Sequence, residues 1–385
     1  MTAQSAEQLR HELRSWLASS FTSELRRALR GPSDEAFDAH RQWNAILFDA
    51  GYAAVSWPEE FGGREAPIRE QLVCAEEMAR AGAPGPVNAI GVANIAPSIM
   101  SFGTAEQKDR FLRPMLRGDE IWSQGMSEPE AGSDLASLRC RAAQDGDHYV
   151  VNGQKTWNSM GDRADWCQLY VRTDPDAPKH KGISALLVDM RTPGIEARPI
   201  VTMAGDTSFS ELFFTEARVP VSSLLGAAND GWSVATKTLS HERAGVATLY
   251  LNLRKELDDL VASASDGSTG ARPVPSALTR DQLMARYIDV RNLEFLAKRA
   301  LGAMLSGRAP GPEGSVIKLA WSLTAQSLAR TAADVLGVEA LDAPWSSRLL
   351  SSCSLTIAGG TTEVNKNILG ERVLGLPRES RHAQG

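Results

Sequence analysis

The chain has 385 residues, 43% of them hydrophobic and 23% charged, with a formal net charge of −6. That length supports two or three packed units, and the composition excludes a largely disordered chain. The acidic balance argues against a nucleic-acid surface. The densest basic cluster, Arg26, Arg27 and Arg30, reads as a solvated helix face.

From Ala6 to Leu29, the apolar residues Leu9, Leu13, Trp16, Leu17, Phe21, Leu25 and Leu29 recur at three- and four-residue steps. This spacing predicts one amphipathic helix ended by Gly31-Pro32, with Ser33 or Asp34 available to cap the next. The same period predicts helices over 37–50, 68–81 and 105–116, with Gly/Pro breaks such as Trp57-Pro-Glu-Glu-Phe-Gly-Gly63 between them. After Ile121 the pattern shortens to β-prone runs at 148–151, 166–171, 183–188, 211–214 and 217–220. Asp145-Gly146, Asn152-Gly153, Pro193-Gly194 and Gly205-Asp206 read as the turns that bound them, giving a compact sandwich or barrel. Helical periodicity returns at Trp232 and continues nearly to the end, with Ser263–Ser276 as the internal loop. The predicted class is α+β: a helical domain over 1–121, a β domain over 122–230 and a helical domain over 231–385.

Cys74, Cys140, Cys167 and Cys353 form no CxxC pair and read as reduced, buried thiols. The six histidines pair at no metal-ligand spacing, so no metal is expected. The N-terminal Met1-Thr-Ala-Gln-Ser-Ala-Glu lacks the basic and apolar regions of a signal peptide. The apolar-rich run from Ala89 to Met100 is too short to span a bilayer. A cytoplasmic protein without membrane insertion is the expectation.

Two segments carry the chemistry. Gly125-Met-Ser-Glu-Pro-Glu-Ala-Gly-Ser-Asp134 combines glycines, hydroxyls and a proline, a pattern that can bring backbone N–H groups and short hydroxyls against a flat or phosphorylated ligand. Asn152-Gly-Gln-Lys-Thr-Trp-Asn-Ser159 follows closely and can complete the same site. Together, and within an α–β–α layout, they resemble the flavin cradle of the acyl-CoA dehydrogenase family. The resemblance covers almost the whole chain and includes a lead-in helix at Gly103–Leu112.

The resemblance implies FAD as cofactor. Ser127 and the backbone around Met126 match groups that bond the pyrimidine side of the isoalloxazine. Gly132 and Ser133 match positions near the cofactor phosphates and the pantetheine arm. Trp157 matches a stacking aromatic and Ser159 a hydroxyl at the reactive N5 edge. Thr361 and Glu363 match positions close to the cofactor. Donors at the pyrimidine edge would stabilise the charge that appears on hydride transfer.

Removal of an α-proton and a β-hydride from an acyl thioester needs a carboxylate base. Many members carry it in a Tyr-Glu-Gly-Thr motif near the C-terminus, but here the segment is Ile357-Ala-Gly-Gly-Thr-Thr-Glu363 and Gly359 occupies the glutamate place. The isovaleryl-CoA and long-chain subgroup carries the base in a Leu-x-x-Glu-Arg setting, matched by Leu239-Ser-His-Glu-Arg243. The resemblance thus makes Glu242 the base and Arg243 a supporting residue. The backbone N–H of Gly359 would polarise the thioester carbonyl, since any residue but proline supplies it. Ser133, Ser240, Arg243 and Ala358 are the expected substrate contacts. With Ala358 and Gly359 replacing a Tyr-Glu pair, a roomy pocket for branched, cyclic or bulky acyl groups is expected.

The expected product is a trans-2-enoyl-CoA, with electrons passing to an electron-transfer flavoprotein. The expected assembly is a homotetramer or homodimer. The family's Arg-x-x-Phe-Gly adenine motif is absent, and 253–277 is a charged run followed by the Ser/Gly/Pro-rich loop. That departure keeps a hetero-oligomer open. Two alternatives stand: a flavin oxidase or monooxygenase acting on a carrier-bound substrate, and a non-catalytic partner subunit.

Overall fold

The computed structural model describes residues 3–31, 33–245, 248–265, 276–308 and 311–378, without the side chains at 3–5, 33, 240–245 and 313. The chain forms two compact units, Met1–Glu242 and Arg243–Gly385.

The first unit begins with helices α1 (Ala3–Ser20), α2 (Ser23–Ala28), α3 (Ser33–Asp49) and α4 (Ile68–Ala81). The single helix predicted over Ala6–Leu29 is broken. Thr22 adopts an extended backbone, and its hydroxyl accepts the Leu25 N–H at 3.2 Å, capping a new helix. The apolar period survives the break because Phe21 and Leu25 both face the core, so periodicity alone does not reveal it. α5 (Ala96–Phe102) follows a π-turn at Gly91–Ile95, and α6 (Ala105–Arg117) starts at a capping box of Thr104 and Gln107. The apolar run from Ala89 is therefore core, with Ile95, Ala96 and Ile99 fully buried.

Among the described residues, eight strands form one hydrogen-bonded sheet: β1 (Trp122–Gly125), β2 (Arg141–Asp145), β3 (His148–Ser159), β4 (Trp166–Arg172), β5 (Ile183–Asp189), β6 (Ile195–Ile200), β7 (Phe209–Pro220) and β8 (Leu224–Leu225). The order is β6-β7-β3-β2-β4-β5-β8, with β1 parallel to β4. Asn152-Gly153, predicted as a turn, lies inside β3, and the two runs predicted at 211–214 and 217–220 are one strand, β7. The reason is a bulge. Asn152 Nδ2 donates to Glu216 Oε1 at 2.6 Å and its Oδ1 accepts the Glu216 N–H at 2.9 Å, at a register shift between Val151 and Gly153. Gly153 has φ +148°, and a Cβ there would meet Cys140 Cα at 2.7 Å. The dipeptide supplies a bulge rather than a reversal. Strand β2 is mostly exposed, and β6 is only half exposed but carries Pro199, which breaks its strand pattern, so neither announces itself.

β1 pairs with the first part of β4, whereas β2 meets β4 at Arg172. The chain between them, 126–140, leaves the sheet where β4 changes partner.

α7 spans Gly231–Gly245, across the division between units. The second unit continues with α8 (Tyr250–Ser265), α9 (Ala277–Leu305), α10 (Glu313–Leu336), α11 (Trp345–Ser352) and α12 (Thr362–Ile368). Its core is built from Leu253, Leu257, Leu260, Val290, Leu293, Ile317, Leu328 and Leu336. Each such buried aliphatic side chain contributes roughly 1.5–3 kcal/mol of burial. Most of the predicted loop at 263–276 lies outside the described residues, though α8 extends to Ser265. Among the described residues no helix is long and apolar enough to cross a membrane.

Candidate active site

In the first unit β3 runs alongside β1 and the segment that leaves it, and hydrogen bonds join them. Ser123 Oγ donates to Ser159 O at 2.8 Å, and Asn158 Nδ2 donates to Gln124 O at 2.7 Å. The Thr156 N–H donates to Ser127 O at 2.9 Å, and Lys155 Nζ donates to Met126 O at 3.0 Å. The structure thus brings Met126, Ser127, Trp157 and Ser159 into one neighbourhood.

Lys155 is fully buried and also donates to Glu128 Oε1 at 2.8 Å. The Glu128 carboxylate accepts two further backbone N–H groups, from Arg139 at 2.6 Å and Cys140 at 2.9 Å. One buried ion pair therefore fixes both ends of the 126–140 excursion. Sequence reasoning missed Glu128, Lys155, Thr156 and Asn158. All four stand inside the two segments singled out, but a buried partner 27 residues away has no periodic signature.

Trp157 sits at the second bulge of β3, between Lys155 and Asn158, with φ +61°. Left-handed backbone is unusual for a bulky residue and concentrates at functional sites. The bulge re-aims the indole out of the sheet, leaving it 59% exposed with an edge-on contact to Phe209, ring centroids 6.0 Å apart. A large exposed aromatic held in strained backbone is poorly explained by folding alone. Ser127, Ser159 and Met126 are half-buried beside it.

Gly132 and Ser133 are exposed on the excursion, and a Cβ at Gly132 would meet nothing within 4 Å. The fold sets no steric demand there, so the open face is free for a ligand to approach. Asp134 next to them pairs with Lys179 and accepts the Ser137 hydroxyl, which together hold its carboxyl below the usual range. The nearby thiols are inert packing: burial pushes Cys140 up to about 11 and Cys167 up to about 12. Cys353 is exposed, so the expectation of four buried thiols fails there.

α7 carries the segment that includes Glu242. The side chains of Ser240, Glu242 and Arg243 lie outside the described residues. One turn earlier, Thr238 is fully buried and anchors α7. Its hydroxyl lies 2.5 Å from Ser98 Oγ of α5 and 3.2 Å from the Tyr170 hydroxyl of β4, and it donates to Val234 O at 3.0 Å. Burial pushes the Tyr170 phenol up, so it remains a neutral hydrogen-bonding group.

In the second unit, the turn 357–360 follows α11 and a short 3-10 turn, and it precedes α12. Ala358 and Gly359 are exposed there, and Gly359 and Gly360 both have left-handed backbone, φ +64° and +85°. The Thr361 hydroxyl caps α12 by accepting the Val364 N–H at 3.2 Å. Glu363 is exposed in the first turn of that helix.

These residues suit a flavin: an out-turned indole to stack on, hydroxyls and backbone at its side, and an open glycine. Three family models match the chain in order: the acyl-CoA dehydrogenase N-terminal domain over residues 3–119, middle domain over 123–217 and C-terminal domain over 229–374. The chain is 39% identical over 393 residues to the acyl-CoA dehydrogenase IpdE1 of Mycobacterium tuberculosis, covering 98% of this chain and 100% of that one. It is 38% identical to acyl-CoA dehydrogenase FadE26 of the same organism, covering 97% and 98%. Among solved structures, the Tcur3481–Tcur3483 steroid ACAD superposes with a TM-score of 0.85 at 31% identity, over 98% of this chain and 99% of that one. The ChsE4–ChsE5 complex of Mycobacterium tuberculosis superposes with a TM-score of 0.83 at 35% identity, again over 98% and 99%. With all three domain models matched in sequence and a relative of this identity along its whole length, the chain belongs to the acyl-CoA dehydrogenase family, a family of flavoprotein oxidoreductases.

Proposed function

We propose that this enzyme binds FAD and dehydrogenates a bulky, branched or polycyclic acyl-CoA to the trans-2-enoyl-CoA. The observation that carries the flavin part is Trp157, exposed and left-handed at a bulge beside Ser127 and Ser159. Met126, Ser127, Trp157 and Ser159 would hold the isoalloxazine, and Gly132 and Ser133 would lie near the phosphates and the pantetheine arm. Bound there, FAD supplies the acceptor for the β-hydride. Glu242 would take the α-proton, with Arg243 beside it, and the Gly359 N–H would polarise the thioester carbonyl. Thr361 and Glu363 would help to close the cofactor site, and Ser240 and Ala358 would line the acyl group.

Two things support a bulky substrate. Ala358 and Gly359 leave little side-chain volume at the place where many relatives carry Tyr-Glu. A structural relative over nearly the full chain is a steroid ACAD. Electrons would leave to an electron-transfer flavoprotein. A second reading concerns assembly: the two solved structures described above are each named for two chains, which favours a hetero-oligomer in which this chain pairs with another family member.

The test is anaerobic titration of the purified yellow protein with straight, branched and steroid-derived acyl-CoAs. Bleaching by bulky substrates that is lost in Glu242→Gln, with the flavin retained, is the expected result. An unchanged reduction rate in Glu242→Gln would remove that residue from the role of base. A clear preference for short linear chains would remove the bulky pocket. A colourless chain that gains flavin only with a second protein would establish the hetero-oligomer.

A further inference from the structure

The turn that carries Gly359 is held from below by one buried lysine. Lys318 of α10 is 6% exposed, and its ammonium donates to Leu355 O at 3.0 Å and Gly360 O at 2.7 Å. A single Nζ thus closes the chain across the whole 357–360 turn. Asn365 of α12, also buried, donates to Gly360 O at 2.9 Å and Thr361 O at 3.0 Å. Two turns along α10 from Lys318, Gln326 Nε2 donates to Ser352 O at 3.1 Å and Thr356 Oγ1 at 3.2 Å. Within the turn, the N–H groups of Ile357 and Ala358 both donate to Ser354 O at 2.9 Å. The next N–H along the chain is that of Gly359.

Two consecutive left-handed glycines form the most permissive backbone a chain can have, so their direction must be imposed from outside. Among the described residues of this unit there is no strand to impose it. An ammonium is strongly hydrated and costly to bury, and two of its hydrogen bonds go here to the carbonyls on either side of this turn. We infer that Lys318 is a positioning residue for the reaction: by clamping the Leu355 and Gly360 carbonyls it fixes the direction of the Gly359 N–H that polarises the thioester carbonyl. The inference rests on the reading of Gly359 given above.

The test uses the flavin-loaded enzyme and the 3-oxoacyl-CoA of a branched or steroid-derived acyl group shown to bind it, whose bound enolate fraction against pH reports how strongly its carbonyl is polarised. In the unaltered enzyme the ligand's apparent pKa is expected to fall below its value in free solution. Lys318→Met is expected to raise it by about one unit, a tenfold loss of enolate at fixed pH. Turnover should fall about tenfold while KM for the acyl-CoA changes less than about twofold, because an interaction strongest in the transition state has been loosened. Lys318→Gln, which keeps an N–H donor, should recover most of the shift. Asn365→Ala loosens the same turn from α12 and provides a second reading if Lys318→Met folds poorly. Folded variants of both residues with an unshifted ligand pKa would overturn the clamp while leaving Gly359 in its role. No lowering of the ligand pKa by the unaltered enzyme would overturn both.

Discussion

Two buried lysines hold two loops of this protein by their carbonyls, and they do so in different surroundings. Lys155 grips the Met126 carbonyl from within a sheet, with the Glu128 carboxylate as its partner and the Thr156–Ser127 backbone bond alongside. Lys318 grips the Leu355 and Gly360 carbonyls in a unit whose described elements are all helical. In the sheet, removal of one contact leaves a ladder behind. In the helical unit the side chains are the scaffold. The first loop should therefore respond to mutation mainly through stability, and the second mainly through turnover.

The sharpest test of that contrast is Lys155→Met, which leaves the Glu128 carboxylate buried without its cation. A loss of about 4 kcal/mol in chemical denaturation is expected, with much of it recovered in the Lys155→Met, Glu128→Gln double variant. Full stability in the single variant would dissolve the distinction. Glu77, whose partners Arg10, Arg14 and Arg80 lie on α1 and α4, serves as a control that belongs to neither loop. Burial alone would push its carboxyl up, but hydrogen bonds from Arg14, Arg10 and Arg80 hold it down at about 2. Since that lies below the usual 4.5, the network stabilises fully above about pH 5, and its contribution fades as pH falls from 4.5 toward 2. Glu77→Gln should cost about 3 kcal/mol at neutral pH, flatten the acid limb of the stability profile and leave flavin content unchanged.

Smaller effects probe the joints. Thr238→Val strands the hydroxyls of Ser98 and Tyr170 and should cost about 2 kcal/mol. If α7 positions the base, flavin reduction slows more than stability suggests, and Thr238→Ser restores it. The smallest effect has an unusual sign. At most strand positions glycine is less stable than alanine, but at φ +61° the order should reverse, with Trp157→Gly about 1 kcal/mol more stable than Trp157→Ala by thermal melting without flavin. Both should lose flavin affinity.

Much of the architecture was legible in the sequence. The amphipathic period at 68–81 coincides with α4, and the apolar runs at 166–171 and 183–188 lie within β4 and β5. Local signals failed where distant partners decided the outcome. Asn152-Gly153 has turn chemistry, yet Glu216 on the neighbouring strand converts it to a bulge. Thr22 interrupts a helix whose apolar period continues unbroken. At the candidate site, the two glycine- and hydroxyl-rich segments could be read because their residue types are unusual for a fold. Lys155, Glu128 and Lys318 could not, since a charged residue is ordinarily read as solvated and only packing reveals otherwise.

The outward turn of Trp157 also gives the protein an optical handle. Of nine tryptophans in the chain, it alone is exposed among the described residues, whereas Trp122 and Trp166 are stacked 5.7 Å apart inside the first unit. Acrylamide or iodide should therefore quench chiefly this indole in the flavin-free protein. Cofactor loading would shield it, so collisional quenching becomes a direct occupancy gauge that needs neither substrate nor turnover.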